Sequence, residues 1–331
     1  MDTEPALEAT LRTRLGSRHP RFAAAAITGA ETTLAVSGVA HDADFEIGSL
    51  SKAITGLLYA DACRRGEVSA GSTLGELLPL GNCAAAGASL GSLSRHSSGL
   101  PRLAPSAPGS PSVLRRTAAL LLRGQNPYGE SLAELLEQAR AVRLQAPRPR
   151  YSNLGFELLG HAIAAGAGMS YPDLVTARLS GPLALGSVYM PEGPGALRPS
   201  ALTGSSRLGR PRQPWTGEAL APAGGIRASI ADLARLARAL LDGSAPGLTA
   251  LDPVADFAGP AVRIGAAWLT LEAKGRRITW HNGGTGGFSS WFGLDREANA
   301  AVVLLTATAA PVDRQGFALL QELAAPERSS P

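Results

Sequence analysis

Ser49 and Lys52 stand three residues apart in the run Phe45-Glu46-Ile47-Gly48-Ser49-Leu50-Ser51-Lys52-Ala53-Ile54-Thr55-Gly56-Leu57-Leu58. Residues at that spacing are neighbours on a helix face. Ile54, Leu57 and Leu58 continue at helical spacing, so the run reads as the first turns of a buried helix that the chain enters through Gly48. A serine hydroxyl is a poor nucleophile until a base takes its proton, and a desolvated lysine becomes such a base when its pKa falls. Arginine cannot do this. Of the 31 Lys+Arg residues only Lys52 and Lys274 are lysines, so an amine at position 52 stands out against an arginine background. Alone, the pair also fits a surface lysine beside a serine.

A second constellation is Tyr151-Ser152-Asn153, which follows Pro147-Arg148-Pro149-Arg150 and opens a helical pattern. A phenol beside a cationic amine is stabilised as phenolate and can act as general acid or base, while the Asn153 amide can orient a substrate or the lysine. The plainer alternative is a tyrosine packed at a helix start. The third is Trp280-His281-Asn282-Gly283-Gly284-Thr285-Gly286-Gly287-Phe288, a strand running into glycines. Glycine permits close backbone approach, and a strand-edge N–H can form half of an oxyanion hole with the N–H of Ser49. The same glycines also fit a simple turn. They open no helix, because Phe288 to Leu294 reads as another strand, and this rules against a phosphate-cradling loop. His96, in Leu93-Ser94-Arg95-His96-Ser97-Ser98-Gly99-Leu100-Pro101, would suit a Ser-His pair but has no acidic residue close in sequence. It reads as a structural histidine holding that turn.

These groups need a scaffold, and 331 residues with 45% hydrophobic and 18% charged residues make a folded protein with a sizeable core. The net charge of +4 is spread over scattered arginines without a basic run, so neither a nucleic-acid track nor a membrane-surface helix is expected. Cys63 and Cys83 lack companions at metal-ligand spacing and make no disulfide framework, so no metal or cofactor is expected and a reducing compartment is the default. The start, Met1-Asp2-Thr3-Glu4-Pro5, shows no positive region followed by an apolar core. Runs such as Phe22 to Ile27 and Ala300 to Leu305 are too short to span a bilayer. A cytoplasmic location is expected. Nothing in the sequence specifies an oligomeric state.

Along the chain, Ala6 to Leu15 predicts a helix ending near Gly16, and Phe22–Ile27, Thr32–Ser37 and Ala43–Ile47 predict two or three antiparallel strands leading to the Ser49 helix. From Lys52 to about Gly224 helical patterns dominate: Ile54–Arg64, Leu74–Leu78, Ser112–Arg123, Ser131–Gln138, Asn153–Ala165 and Tyr171–Leu179. Loops rich in Gly, Pro and Ser run from Pro101 to Pro111 and from Pro191 to Pro214. Ser229 caps a helix to Leu241. Strands then return at Val262–Leu271, Ile278–Asn282, Phe288–Leu294 and Ala300–Leu305, with turns at Lys274-Gly275 and Asp295–Asn299; a last helix spans Asp313–Leu323, and the tail after Pro326 is expected to fray. The pattern predicts an α+β chain in which 1–51 and 225–331 build a sheet domain, 52–224 an inserted all-α domain, and the cleft lies between them.

Taken in order, Ser-x-x-Lys, Tyr-x-Asn and a strand His-x-Gly resemble the serine β-lactamase and penicillin-binding-protein superfamily, in its class C-like branch of esterases, D-amino-acid peptidases and DD-peptidases. Phe45–Ser49 looks like that family's nucleophile entry, Leu93–Pro101 like its variant of Leu-Thr-His-x-Ser-Gly-Leu-Pro, and Pro222-Ala223-Gly224-Gly225-Ile226 like the glycine pair before its late helix. The resemblance implies an antiparallel sheet with flanking helices plus an all-α domain. It implies Ser49 as acylated nucleophile, Lys52 as its base, and Tyr151 as the proton shuttle to the leaving group and in deacylation. It also implies Gly284 as the oxyanion N–H opposite Ser49, with Asn153, His281, Asn282 and Gly283 binding a small-molecule acyl substrate. Two departures bear on substrate. His281 stands where β-lactamases usually have lysine, and Arg148 follows Pro147 where the family has glycine. A neutral imidazole, with its ordinary pKa of about 6.5, offers a carboxylate only a hydrogen bond. Carboxylesterase-like hydrolysis of neutral esters or small amides is therefore expected over β-lactam cleavage, with activity on carboxylate substrates rising as pH falls toward that pKa, unless Arg148 or Arg150 supplies the charge. Acyl transfer to an amine or alcohol, a DD-peptidase or D-aminopeptidase, and an acylated sensor module are the alternatives.

Overall fold

The computed structural model describes residues 4–105, 112–128, 130–273 and 275–325. The end of the Pro101–Pro111 loop, Lys274 of the expected turn and the expected fraying tail lie outside them. Strands β1 (Phe22–Thr28), β2 (Glu31–Ser37), β3 (Asp44–Glu46), β4 (Arg227–Ser229), β5 (Ala255–Asp256), β6 (Val262–Ile264), β7 (Leu269–Ala273), β8 (Arg276–Gly284), β9 (Ser289–Asp295) and β10 (Ala300–Thr306) fall in two groups, before and after a long helical stretch. The helices are α1 (Pro5–Leu15), α2 (Leu50–Arg64), α3 (Leu74–Leu77), α4 (Leu90–Ser94), α5 (Val113–Arg123), α6 (Leu132–Arg140), α7 (Asn153–Gly166), α8 (Tyr171–Val175), α9 (Ala221–Gly224), α10 (Ile230–Asp242) and α11 (Asp313–Leu323). Among the described residues no helix is long and apolar enough to cross a membrane.

Eight strands form one antiparallel sheet in the order β2-β1-β10-β9-β8-β7-β6-β5. The amino-terminal hairpin thus joins the carboxy-terminal strands, with Ala25 opposite both Leu34 and Val303. The alternation of side chains along a strand sends Trp291, Val302 and Leu304 to one face, where they meet Leu11 of α1 and Leu320 of α11. It sends Phe292, Val303 and Leu305 to the other face, toward α2 and α10. Each such buried side chain contributes about 1.5–3 kcal/mol relative to exposure.

Two expectations about strands are corrected. Ala43–Ile47 does not join the large sheet; its β3 pairs with β4 in a separate ribbon, Phe45 opposite Ala228. The run Val262–Leu271 is two antiparallel strands, because the chain reverses at Gly265–Trp268 with Ala267 at φ 66°. The reversal places Trp268 to donate through Nε1 to the Ala53 carbonyl, at 3.2 Å. It also brings the Ala266 carbonyl so near α2 that a Cβ on Gly56 would lie 2.1 Å from it. The expected helix over Tyr171–Leu179 is α8 followed by a wider π-helical turn, Thr176–Ser180.

Helix α2 is held from its other side as well. Thr55 Oγ1 donates to the Pro222 carbonyl and pairs with the Tyr171 hydroxyl, both at 2.7 Å. Gly160 of α7 leaves room for the Pro222 ring, whose Cβ would be 2.2 Å from any Cβ there. The β3–β4 ribbon carries a buried ion-pair group in which Arg227 Nε donates to Asp44 and Nη1 reaches Glu46 Oε1 at 3.3 Å. Burial pushes the Glu46 carboxyl above its ordinary pKa, with Arg227 pulling the other way. The same Glu46 oxygen accepts the Trp215 N–H at 3.0 Å, which fastens the loop bearing Trp215 to the ribbon.

Candidate active site

Between Ala43 and Ala62 every residue is buried except Ser49. The chain turns into α2 at Gly48, which has φ 53°, a conformation open to glycine at little cost. Ser49 follows at the start of α2 with helical backbone angles, and among the described residues its N–H donates no backbone hydrogen bond, as befits a helix first turn. One turn on, Lys52 is fully buried and Nζ lies 3.2 Å from Ser49 Oγ. Nζ also donates to the Ala223 carbonyl of α9 and sits 4.9 Å from the centroid of the Tyr151 ring. The Tyr151 hydroxyl donates to Ser49 Oγ at 2.5 Å. The three side chains first picked out from sequence spacing therefore converge on one oxygen.

β8 supplies the opposite wall. Its pairing with β7 ends at Trp280, while its pairing with β9 continues to Gly284. The freed edge is where Gly48 and Ser49 approach. A Cβ on Gly48 would lie 2.7 Å from Gly284 N, and one on Gly283 would lie 2.1 Å from the Ile47 carbonyl oxygen and 3.0 Å from Ser49 N. Ser290 Oγ secures the junction by donating to the Ile47 carbonyl at 2.8 Å. Ser49, Tyr151, Asn153, Asn282, Gly283 and Gly284 all line a cavity of about 640 Å³. Leu103, Leu120, Leu135, Trp215 and Leu220 give it an apolar wall, and Arg102, Glu130, Glu157 and Asp313 are its charged lining residues.

His281 does not line this cavity. Its ring is buried behind it, with Nδ1 2.6 Å from the Asn282 carbonyl. Burial, and then the charge of Lys52, lower its pKa to about 4. The rise in activity expected as pH falls toward about 6.5 therefore loses its physical basis. Asn153 also departs from expectation: its Nδ2 donates to the Tyr128 hydroxyl at 2.9 Å rather than meeting Lys52, and its buried Oδ1 has no partner among the described residues. Arg148 and Arg150 are exposed and away from the cavity lining. The guanidinium at the rim is that of Arg102, 5.6 Å from the Tyr151 ring centroid.

His96 behaves as the structural histidine anticipated, and more specifically than the sequence allowed. It has φ 57°, accepts the Ser152 N–H on Nδ1 at 3.1 Å, and accepts the Arg150 N–H on its carbonyl at 2.8 Å. Burial, then Lys52 and His281, hold its pKa well below the ordinary value, which keeps Nδ1 free to accept. Sequence reasoning missed the Ala223 carbonyl, Arg102 and Asp313. Only the first had a signal, the Pro222–Ile226 run already singled out.

The chain matches the beta-lactamase family over residues 7–325. It belongs to the beta-lactamase family. It is 29% identical over 222 residues to the human protein named putative beta-lactamase-like 1, a match covering 64% of this chain and 43% of that protein. The chain thus spans less than half the length of that relative. Among solved structures, a class C beta-lactamase from Rhodobacter sphaeroides superposes with a TM-score of 0.78 at 20% identity, covering 97% of this chain and 100% of that one. A beta-lactamase/D-alanine carboxypeptidase from Pseudomonas syringae gives 0.77 at 18% identity, with 98% of both chains covered. At these identities the likeness is one of fold, and it agrees with the β-lactamase/transpeptidase-like architecture expected from the motifs.

Proposed function

We propose that the protein cleaves ester or small amide bonds through an acyl-enzyme on Ser49, in the manner of a carboxylesterase. The observation that carries this reading is the placement of Ser49 Oγ between Lys52 Nζ at 3.2 Å and the Tyr151 hydroxyl at 2.5 Å. Ser49 Oγ attacks the substrate carbonyl carbon while Lys52 takes its proton, a role open to an amine and closed to a guanidinium. The carbonyl oxygen becomes an oxyanion, received by the backbone N–H groups of Ser49 and Gly284. Tyr151 passes a proton to the departing alcohol or amine as the carbon–oxygen or carbon–nitrogen bond breaks. It then takes one from the water that attacks the acyl-enzyme, and Ser49 regains its hydroxyl proton. Asn153, Asn282 and Gly283 line the space the acyl group would occupy, and His281 supports that wall from behind. In this reading residues 1–51 and 225–331 form the sheet unit, 52–224 the helical unit, and substrate enters between them.

The test is covalent labelling. A fluorophosphonate should add one phosphonyl group to the wild type, at Ser49, and none to Ser49→Ala, as read by intact mass and peptide mapping. Equal labelling of both proteins would refute the assignment. Turnover of p-nitrophenyl esters, D-amino-acid anilides and a chromogenic cephalosporin, each with and without an added amine, then separates hydrolysis from acyl transfer.

A further inference from the structure

Beside the oxyanion wall stands a carboxylate that the reaction does not use. Asp313 begins α11 and lines the cavity next to Asn282, whose Nδ2 donates to Asp313 Oδ1 at 2.7 Å. That bond fixes the carboxylate on the residue that directly precedes Gly283 and Gly284 in β8. Among the described residues Asp313 has no Lys or Arg ion-pair partner. Arg102 is the only Lys or Arg among the described residues lining the cavity, and it is exposed at the Tyr151 flank. The imidazole of His281 adds no charge of the opposite sign, since it is buried and held neutral.

We propose that Asp313 selects substrates bearing a cationic amine, and disfavours those bearing a carboxylate, on the Asn282 side of Ser49. This rests on the hydrolase reading above. Two like charges placed close together in a cavity walled partly by apolar side chains repel, and opposite ones attract, more strongly than in water. A negative group on the wall therefore discriminates by rejection as well as by attraction. The unpartnered Asn153 Oδ1 in the same cavity fits the same class, since it can accept from an N–H and not from a carboxylate. The substrates indicated are amino-acid-like or aminoalkyl esters and amides with a free amine.

The experiment compares matched p-nitrophenyl and alkyl esters that differ only in an ammonium, a methyl or a carboxylate terminus. The charge is placed on the acyl chain in one series and on the alcohol in the other. Wild type should give a kcat/KM ratio of ammonium to carboxylate ester of about tenfold or more in at least one series, shrinking as salt is added. Asp313→Asn keeps an oxygen for the Asn282 amide and removes the charge, and should bring that ratio within about threefold of unity. Turnover of esters with no preference for the ammonium terminus, or a preference that survives Asp313→Asn, overturns this inference and leaves the hydrolase reading standing. Failure of the wild type to turn over any of the esters overturns both.

Discussion

The imidazole of His96 lies against the phenol of Tyr151 with ring centroids 4.5 Å apart, and its Nδ1 and carbonyl take the backbone N–H groups on either side of that tyrosine. Residue 96 thereby sets where the Tyr151 hydroxyl points. Small misplacements of a catalytic group cost up to about 100-fold in rate.

His96→Ala should lower kcat by roughly 10- to 100-fold with little change in KM. His96→Asn should recover part of the loss, because asparagine tolerates the left-handed backbone better than alanine and keeps an acceptor oxygen. Steady-state kinetics on a neutral ester, with circular dichroism to check folding, decides it. Equal kcat in wild type and His96→Ala would show that Tyr151 is placed by other groups.

Lys52→Arg removes the one amine among the described residues and substitutes a guanidinium that does not give up its proton. Acylation should fall by roughly 100-fold or more, measured as the rate of fluorophosphonate labelling in a protein of unchanged secondary structure. Labelling at the wild-type rate would mean that Tyr151 alone deprotonates Ser49.

Short-range signals carried most of the site into the sequence. The spacing of Ser49 and Lys52 is a helical neighbour relation, and α2 realises it. The strand patterns at Phe22–Ile27, Phe288–Leu294 and Ala300–Leu305 reappear, the second starting one residue later at Ser289, because alternate residues are buried against different layers. What stayed hidden depends on contacts distant in the chain. The reversal at Gly265–Trp268 was masked by a continuous apolar run, since nothing local marks Ala267 as a residue of positive φ. His281 read as a substrate ligand from its place in a motif, yet its ring is buried while Asn282, Gly283 and Gly284 line the cavity. Asp313 figured in the sequence only as the first residue of the last helix; the packing of α11 against β9 and β10 brings it beside Asn282.

The glycines where β8 meets α2 differ sharply in what they tolerate. A Cβ on Gly283 would meet the Ile47 carbonyl at 2.1 Å and Ser290 Oγ at 2.4 Å, whereas one on Gly284 would find its nearest neighbour, the Phe288 carbonyl oxygen, at 3.9 Å. Gly283→Ala must therefore push β8 away from the nucleophile turn, at a cost of about 1–3 kcal/mol. Its melting temperature should drop by several degrees and its labelling by fluorophosphonate should nearly vanish. Gly284→Ala should melt within about a degree of wild type. Similar melting temperatures for the two variants would contradict the close approach of Gly283 to Ile47.

Acid stability should follow the buried imidazoles. His281 and His19 have folded pKa values lowered to about 4, chiefly by burial, and His96 is held well below its ordinary value for the same reason. Above about pH 6.5 neither the folded nor the unfolded chain protonates these rings, and their neutral burial costs no proton. As pH falls from there toward about 4, the unfolded chain binds protons that the folded one refuses, so stability decreases, and below that range their contribution levels off. For His281 the loss at pH 5 is about 2 kcal/mol. Glu46 acts in the opposite sense, since its raised pKa means that protonation favours the fold. With four lowered imidazoles, His161 included, against the raised carboxyl of Glu46, the urea midpoint should fall steadily between about pH 7 and pH 5, and His281→Gln should show a shallower slope than wild type. A midpoint that holds constant or rises on acidification, or an unchanged slope in His281→Gln, would mean that the ring at 281 carries its proton inside the fold.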